Sequence, residues 1–306
     1  MPRIAIRCDG GAAIGAGHVG RCLPVASALR ERGAHVTFVG GYDGIAAWLL
    51  DGAQVPRLPT GDGACGLDAE NWDAALVDLY MAGRGTGICE LAARLPIATL
   101  GEATRCGSAG IWVDYHAGSP REAGPRRLGG PEYAPVDPRF AAARRARDTV
   151  DRILVSTGAS VMFGDIAARM TAGATAAFPT AEVLQPTPPF DLAEIAPTID
   201  LAVVGAGMTT YELASAGIPL VAVALVENQR VVIDGCRATG IAVPVDGIGQ
   251  DPFPGVVAAL TRMQQSDLRT ELAATAAATV DGRGAGRIAD ALLAAWTPGS
   301  REHSDR

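Results

Sequence analysis

Short apolar runs alternate along the chain with longer stretches whose apolar positions recur at helical spacing. That alternation predicts an α/β protein built on mostly parallel sheets. Arg3–Cys8 (RIAIRC) predicts a first strand, and it runs into the small-residue loop DGGAAIGAG. A helix over 18–32 follows, with Val19, Cys22, Leu23, Val25, Ala26 and Leu29 on its apolar stripe and Gly33 as its stop. His35–Val39 completes a βαβ unit. Next come a helix over 45–50, a strand over 74–79, a helix over 87–95, and strands at Ile97–Leu100 and Ile111–Asp114.

Between 117 and 134 the composition turns to Gly, Pro and Arg, and a helix over 138–147 leads into a second α/β set. There Arg152–Ser156 (RILVS) predicts a strand, Gly158 a turn, and a helix begins near 165. The proline-rich stretch 185–197 predicts a loop. Leu201–Gly205 predicts a buried parallel strand, followed by the turn Ala206-Gly207-Met208-Thr209 and a helix closing at Gly217. A strand starting at Pro219, a helix from Gln229 to Gly240, a strand over 241–244 and three alanine-rich helices carry the pattern to Trp296. The expected domains are 1–147 and 148–296, with 297–306 a disordered tail.

The length, 306 residues, exceeds what one typical core organises and suits two domains. With 48% hydrophobic and 19% charged residues the composition is that of a folded globular protein. The net charge of -7 argues against general binding to nucleic acid or anionic membranes; all 26 basic residues are arginines. Six scattered cysteines without Cys-x-x-Cys spacing predict reduced thiols in a cytoplasmic protein. Arg3 and Arg7 interrupt any signal-like apolar start, and the apolar run near Leu220 is too short to span a bilayer.

The candidate chemistry gathers at two helix starts. Around Gly207, Met208, Thr209 and Thr210, backbone N–H groups and the helix dipole form a cradle for a diphosphate, and Glu212 lies one turn on, where a carboxylate can accept from ribose hydroxyls. A first-turn Glu is also favoured by the dipole with no ligand at all. The other helix start carries His18, where the dipole disfavours an added positive charge and suits a general base; the alternative is a histidine that only packs or caps. Gly15-Ala16-Gly17-His18-Val19-Gly20 matches the dinucleotide pattern G-x-G-x-x-G, but six residues separate Cys8 from Gly15, and Asp43 falls past the second strand. Arg7 and Asp9 flank the first strand end, Asp9 as a further candidate base, and Asp78 and Tyr80 flank a neighbouring one. Turn-forming aspartates and a solvated arginine are the competing reading. No residue cluster suggests a metal, and no cofactor is expected.

The segments Arg7-Cys8-Asp9 and Ile14-Gly15-x-Gly17-His18-x-x-Arg21 resemble the N-terminal signature of the PseG-type nucleotide-sugar hydrolases of pseudaminic acid biosynthesis and their spore-coat-polysaccharide relatives. Gly130-Pro131-x-Tyr133-Ala134 with Pro138 and Phe140, and the stretch 200–229, resemble later segments of that family, in family order. More distantly the chain is similar to the GT-B glycosyltransferases. The resemblance implies two Rossmann-like domains facing a central cleft, with the nucleotide on the C-terminal one and the sugar toward the N-terminal loop, including Gly17. It implies His18 as the catalytic histidine, Glu212 as the ribose carboxylate, Gly207 to Thr210 as the diphosphate turn, and Asn228 and Gln229 near sugar and phosphates. Gly158 stands in the turn opening the second domain.

Three departures bear on the sugar and acceptor: Asp78-Leu79-Tyr80 replaces Asp-His-Tyr, Gly101-Glu102 an acidic pair, and Ser156-Thr157-Gly158-Ala159-Ser160 a Gly-Gly-Ser/Thr-Asp turn. The expected activity is release of a nucleoside diphosphate from a UDP-sugar with water as acceptor. The alternatives are transfer to a small-molecule acceptor and a catalytically silent nucleotide-sugar binding protein.

Overall fold

The computed structural model describes every residue except Ala13, 80–86, 102–109, Pro125, 159–162 and 297–306. The chain forms two compact units, one made of 1–115, 120–135 and 284–306, the other of 116–119 and 136–283. Unlike the contiguous halves expected from sequence, both units are discontinuous.

The first unit contains β1 (Arg3–Cys8), α1 (Gly17–Glu31), β2 (His35–Val39), α2 (Gly44–Gly52), β3 (Arg57–Leu58), β4 (Ala74–Asp78), α3 (Ile88–Arg94), β5 (Ile97–Leu100), β6 (Ile111–Asp114), β7 (Glu122–Ala123) and β8 (Arg127–Gly129). Its sheet has the order β3-β2-β1-β4-β5-β6-β8-β7, parallel throughout except for β7 against β8. The central strands β1 and β4 are apolar without alternation over Ile4 to Ile6 and Ala74 to Val77 because both their faces are covered, and all of these residues are completely buried.

The second unit contains α4 (Pro138–Ala142), β9 (Arg152–Ser156), α5 (Gly164–Ala177), β10 (Glu182–Leu184), α6 (Leu192–Ile195), β11 (Leu201–Gly205), α7 (Met208–Ser215), β12 (Leu220–Ala224), α8 (Arg230–Thr239), β13 (Val243–Asp246), α9 (Phe253–Arg262) and α10 (Ser266–Thr279). Its all-parallel sheet has the order β10-β9-β11-β12-β13. A last helix, α11 (Gly284–Ala295), belongs to the first unit. It packs on α1, where Arg32 grips Asp290 at 2.6 and 3.1 Å, and Gly284 meets the Tyr133–Ala134 backbone too closely to admit a side chain.

Several local expectations shift. The helix expected over 138–147 stops at Ala142 because the arginines beyond it serve as donors: Arg144 Nε reaches Ser215 O at 2.7 Å, Arg147 Nε reaches Ile199 O at 2.7 Å, and Arg147 Nη1 reaches Ala216 O at 3.2 Å. The proline-rich loop holds a one-turn helix, α6, started by Asp191 Oδ1 accepting from Ala193 N–H at 2.9 Å. Cys8, Cys22, Cys65 and Cys236 are free thiols, but Cys89 is disulfide-bonded, so the expectation of reduced thiols throughout is corrected. Among the described residues no helix is long and apolar enough to cross a membrane.

Candidate functional site

In an open parallel sheet, ligands bind beyond the carboxyl ends of the strands where the strand order reverses. The first unit reverses between β1 and β4, since the chain runs from β1 outward to β3 and then returns to β1's other side. His18 stands at that point. The pairing of Cys8 with Asp78 sets the carboxyl end of β4 beside the exit of β1, and α1 begins over it. His18, Arg21 and Cys22 share one face of α1 by their i, i+3, i+4 spacing, and all three reach Asp78. His18 Nδ1 lies 2.9 Å from Asp78 Oδ1, and Arg21 donates through Nε to Oδ2 at 2.5 Å and through Nη2 to Oδ1 at 2.6 Å. The Cys22 thiol lies 3.7 Å from Oδ2.

Asp78 is 1% exposed, and burial pushes its carboxyl up; the charge of Arg21 and the hydrogen bonds from His18 and Arg21 outweigh that and hold it below the ordinary range. It is therefore a carboxylate that only accepts. Arg21 Nη2 also lies 2.8 Å from His18 Nδ1, but two donors cannot share a bond, so the carboxylate takes both protons and Nδ1 carries hydrogen. The basic lone pair of the neutral ring is then on Nε2.

Asp9 and Arg7 are given to each other instead. Arg7 Nη1 donates to Asp9 Oδ1 at 2.8 Å, Gly41 N–H donates to the same oxygen at 3.0 Å, and Arg7 Nε holds Cys65 O at 2.8 Å. Burial works upward on Asp9, but these bonds outweigh it and keep the carboxyl below its ordinary value. The pair ties the end of β1 to the turn after β2. Gly17 opens α1 with nothing among the described residues within 4 Å of where a Cβ would stand, and Gly15 adopts φ +84 in a loop closed by paired Gly11 and Gly15 backbone bonds. Asp43 fastens this loop by accepting from Ala12 N–H at 2.8 Å, a tether in place of the ribose contact of a dinucleotide fold. Tyr80 and Glu102 lie outside the described residues.

In the second unit the order reverses between β9 and β11, and β12 lies next along. The exits of these three adjacent parallel strands bring Gly158, Gly207 to Thr210, and Asn228 with Gln229 to one edge of the sheet. Gly158 has φ +86, so its turn requires glycine. Gly207 precedes α7, whose start has no side-chain cap, and among the described residues nothing lies within 4 Å of where its Cβ would stand. Thr210, in the first turn, is fully buried with a hydroxyl that meets no hydrogen-bond partner among the described residues. Glu212 is half-buried; burial pushes its carboxyl up to about 7, with Thr209's hydrogen bond opposing and the charges of Asp137 and Asp191 adding to the rise. Gln229 folds its Oε1 back onto Leu225 N–H at 2.7 Å, and Asn228 is exposed.

Arg21 appears in the sequence only as a letter of the N-terminal signature, and its grip on Asp78 spans 57 residues. The signal that finds it is the i, i+3 pairing with His18 once β1 and β4 are taken as neighbours. Among the described residues no cluster of three or more His, Cys, Asp or Glu side chains could hold a metal ion.

No protein-family model matches the chain, and no curated protein does. Solved structures do. MurG of Acinetobacter baumannii matches at 17% identity over 96% of this chain and 100% of its own, with a TM-score of 0.58. The Streptomyces sp. SF2575 glycosyltransferase SsfS6, complexed with thymidine diphosphate, matches at 15% identity over 94% and 98%, with a TM-score of 0.64. A putative UDP-N-acetylglucosamine 2-epimerase from Listeria monocytogenes matches at 12% identity over 95% and 96%, with a TM-score of 0.60. The fold is therefore that of the GT-B glycosyltransferases, with two Rossmann-like units.

Proposed function

We propose that the chain cleaves the anomeric bond of a UDP-sugar and releases UDP, with water as acceptor, as in PseG-type hydrolases. The observation that carries the reading is the buried Asp78 carboxylate 2.9 Å from His18 Nδ1. It orients the ring and stabilises the imidazolium formed when Nε2 takes a proton. The water oxygen bonds to the sugar's anomeric carbon, the C–O bond to the β-phosphate breaks, and the electron pair leaves with UDP. Backbone N–H groups at Gly207 to Thr210 hold the diphosphate, the Thr210 hydroxyl adds a donor, and Glu212 accepts from the ribose diol.

A second reading has the same atoms and a different acceptor, a hydroxyl or amine of a small molecule. The glycosyltransferases among the structural neighbours favour it. Incubating the protein with a panel of UDP-sugars and following UDP release with and without candidate acceptors tests both. Release in water alone supports hydrolysis, acceptor-dependent release supports transfer, and no release under any condition favours a silent binding protein.

Two further results are expected. Turnover survives EDTA, because amides rather than a cation carry the leaving diphosphate; a loss restored by magnesium would refute that assignment. Glu212→Ala weakens UDP binding by about 1.5 to 3 kcal/mol, the range for hydrogen bonds to a charged group. Since burial lifts Glu212 to about 7 and the diol needs the ionised form, wild-type affinity falls as pH drops below about 7. The alanine variant keeps only the shallower trend due to the phosphate's own titration. Calorimetry from pH 8 to pH 5 separates the two curves, and parallel curves would remove Glu212 from the site.

A further inference from the structure

Arg139, in the first turn of α4, is gripped from two sides. Its Nε and Nη2 donate to Asp137 Oδ2 at 3.0 and 2.8 Å, and its Nη1 donates to Asp191 Oδ2 at 2.7 Å. Both partners are themselves fixed: Asp137 Oδ1 accepts from Arg139 N–H at 2.8 Å, and Asp191 Oδ1 from Ala193 N–H at 2.9 Å. The guanidinium donors lie in the plane of the group, so two carboxylates at its edge lock that plane and leave its faces uncommitted. The side chain remains 54% exposed, so it presents a flat cation to solvent at a fixed angle.

Its place in the unit gives that surface a use. α4 packs against α7, and the arginines that follow α4 reach the last turn of α7 through Ser215 O and Ala216 O. Asp137 and Asp191, the two carboxylates that grip Arg139, are among the charges that raise the Glu212 carboxyl, so they lie in its neighbourhood.

We infer that Arg139 is the platform on which the nucleobase of the bound nucleoside diphosphate stacks. The inference rests on Glu212 as the ribose carboxylate: once the diol is held there, the base is the next group along, and a rigid planar cation suits its π face. Stacking of this kind accepts any base and leaves the choice among bases to contacts with their edges.

Calorimetry on the full chain tests it, with UDP, dTDP, CDP, GDP and ADP as ligands and inorganic pyrophosphate as a probe without a base. Arg139→Lys keeps the charge and an ion pair but lacks the flat face. It should bind the tightest nucleoside diphosphate about tenfold more weakly, within the span of single-base stacking. Pyrophosphate binding should not change, and Arg139→Tyr, flat but uncharged, should recover most of the loss. Arg139→Lys binding both ligands like the wild type, or losing both alike, overturns the platform and leaves Glu212 to its own alanine test. If the wild type binds no nucleoside diphosphate at all, the nucleotide reading falls and the platform falls with it.

Discussion

Replacing His18 by asparagine is expected to lower kcat by a factor of about 10² to 10⁴, the usual worth of a positioned general base, while UDP affinity barely changes. The split follows from the fold: the nucleotide contacts are assigned to residues of the second unit, and His18 belongs to the first. Asparagine fits the space of the ring and retains a donor toward Asp78, so the carboxylate stays paired and the fold is spared. Steady-state kinetics beside calorimetry with UDP reads both quantities. A near-normal kcat in the variant would make His18 a packing residue at a helix start.

The second large effect is expected at Asp78, and it has two components. Asp78→Asn puts an amide where His18 Nδ1 and two Arg21 nitrogens now donate, so at least one N–H faces another N–H and the tautomer of the ring is no longer set. A drop in kcat of two orders of magnitude or more is expected, comparable in kind to loss of the aspartate in a Ser-His-Asp triad. The same change strips Arg21, whose side chain is 21% exposed, of its counter-charge. Breaking a buried pair costs about 3 to 5 kcal/mol, and urea unfolding should register a loss of that order, somewhat reduced by the partial exposure of Arg21. Full activity in a destabilised variant would confine Asp78 to holding α1 on the sheet.

Much of this architecture is legible in the sequence wherever strands are buried on both faces. β11 and β12 are apolar from end to end, and their boundaries follow from that; β1 carries the same signal over Ile4 to Ile6. The strands that escape notice have no such signal: β3 is two exposed residues, Arg57 and Leu58, and β8 sits inside a Gly-, Pro- and Arg-rich stretch. Single-position chemistry fares similarly. His18 stands at a helix start, which sequence can locate, whereas Glu212 falls in the second turn of α7 rather than the first turn expected. The His18–Asp78 contact spans 60 residues and exists only because Cys8 pairs with Asp78 across the sheet, a register that no local pattern encodes. Sequence placed Asp78 among sugar contacts, and the structure gives its oxygens to His18 and Arg21. The clamp on Arg139 is hidden for the same reason, since Asp191 lies 52 residues away.

The helix α11 has a consequence for how the molecule is made. It covers α1 and closes against the Tyr133–Ala134 backbone, yet it is the last described element to leave the ribosome. The second unit, 136–283 with the short segment 116–119, is wholly synthesised before α11 emerges. During translation, then, the first unit cannot be completed before the second has been made, and the α1 surface bearing Arg32 stays bare until α11 has emerged. A nascent chain whose residue 283 has just cleared the ribosome can carry a finished second unit beside a first unit still without the helix that seals it.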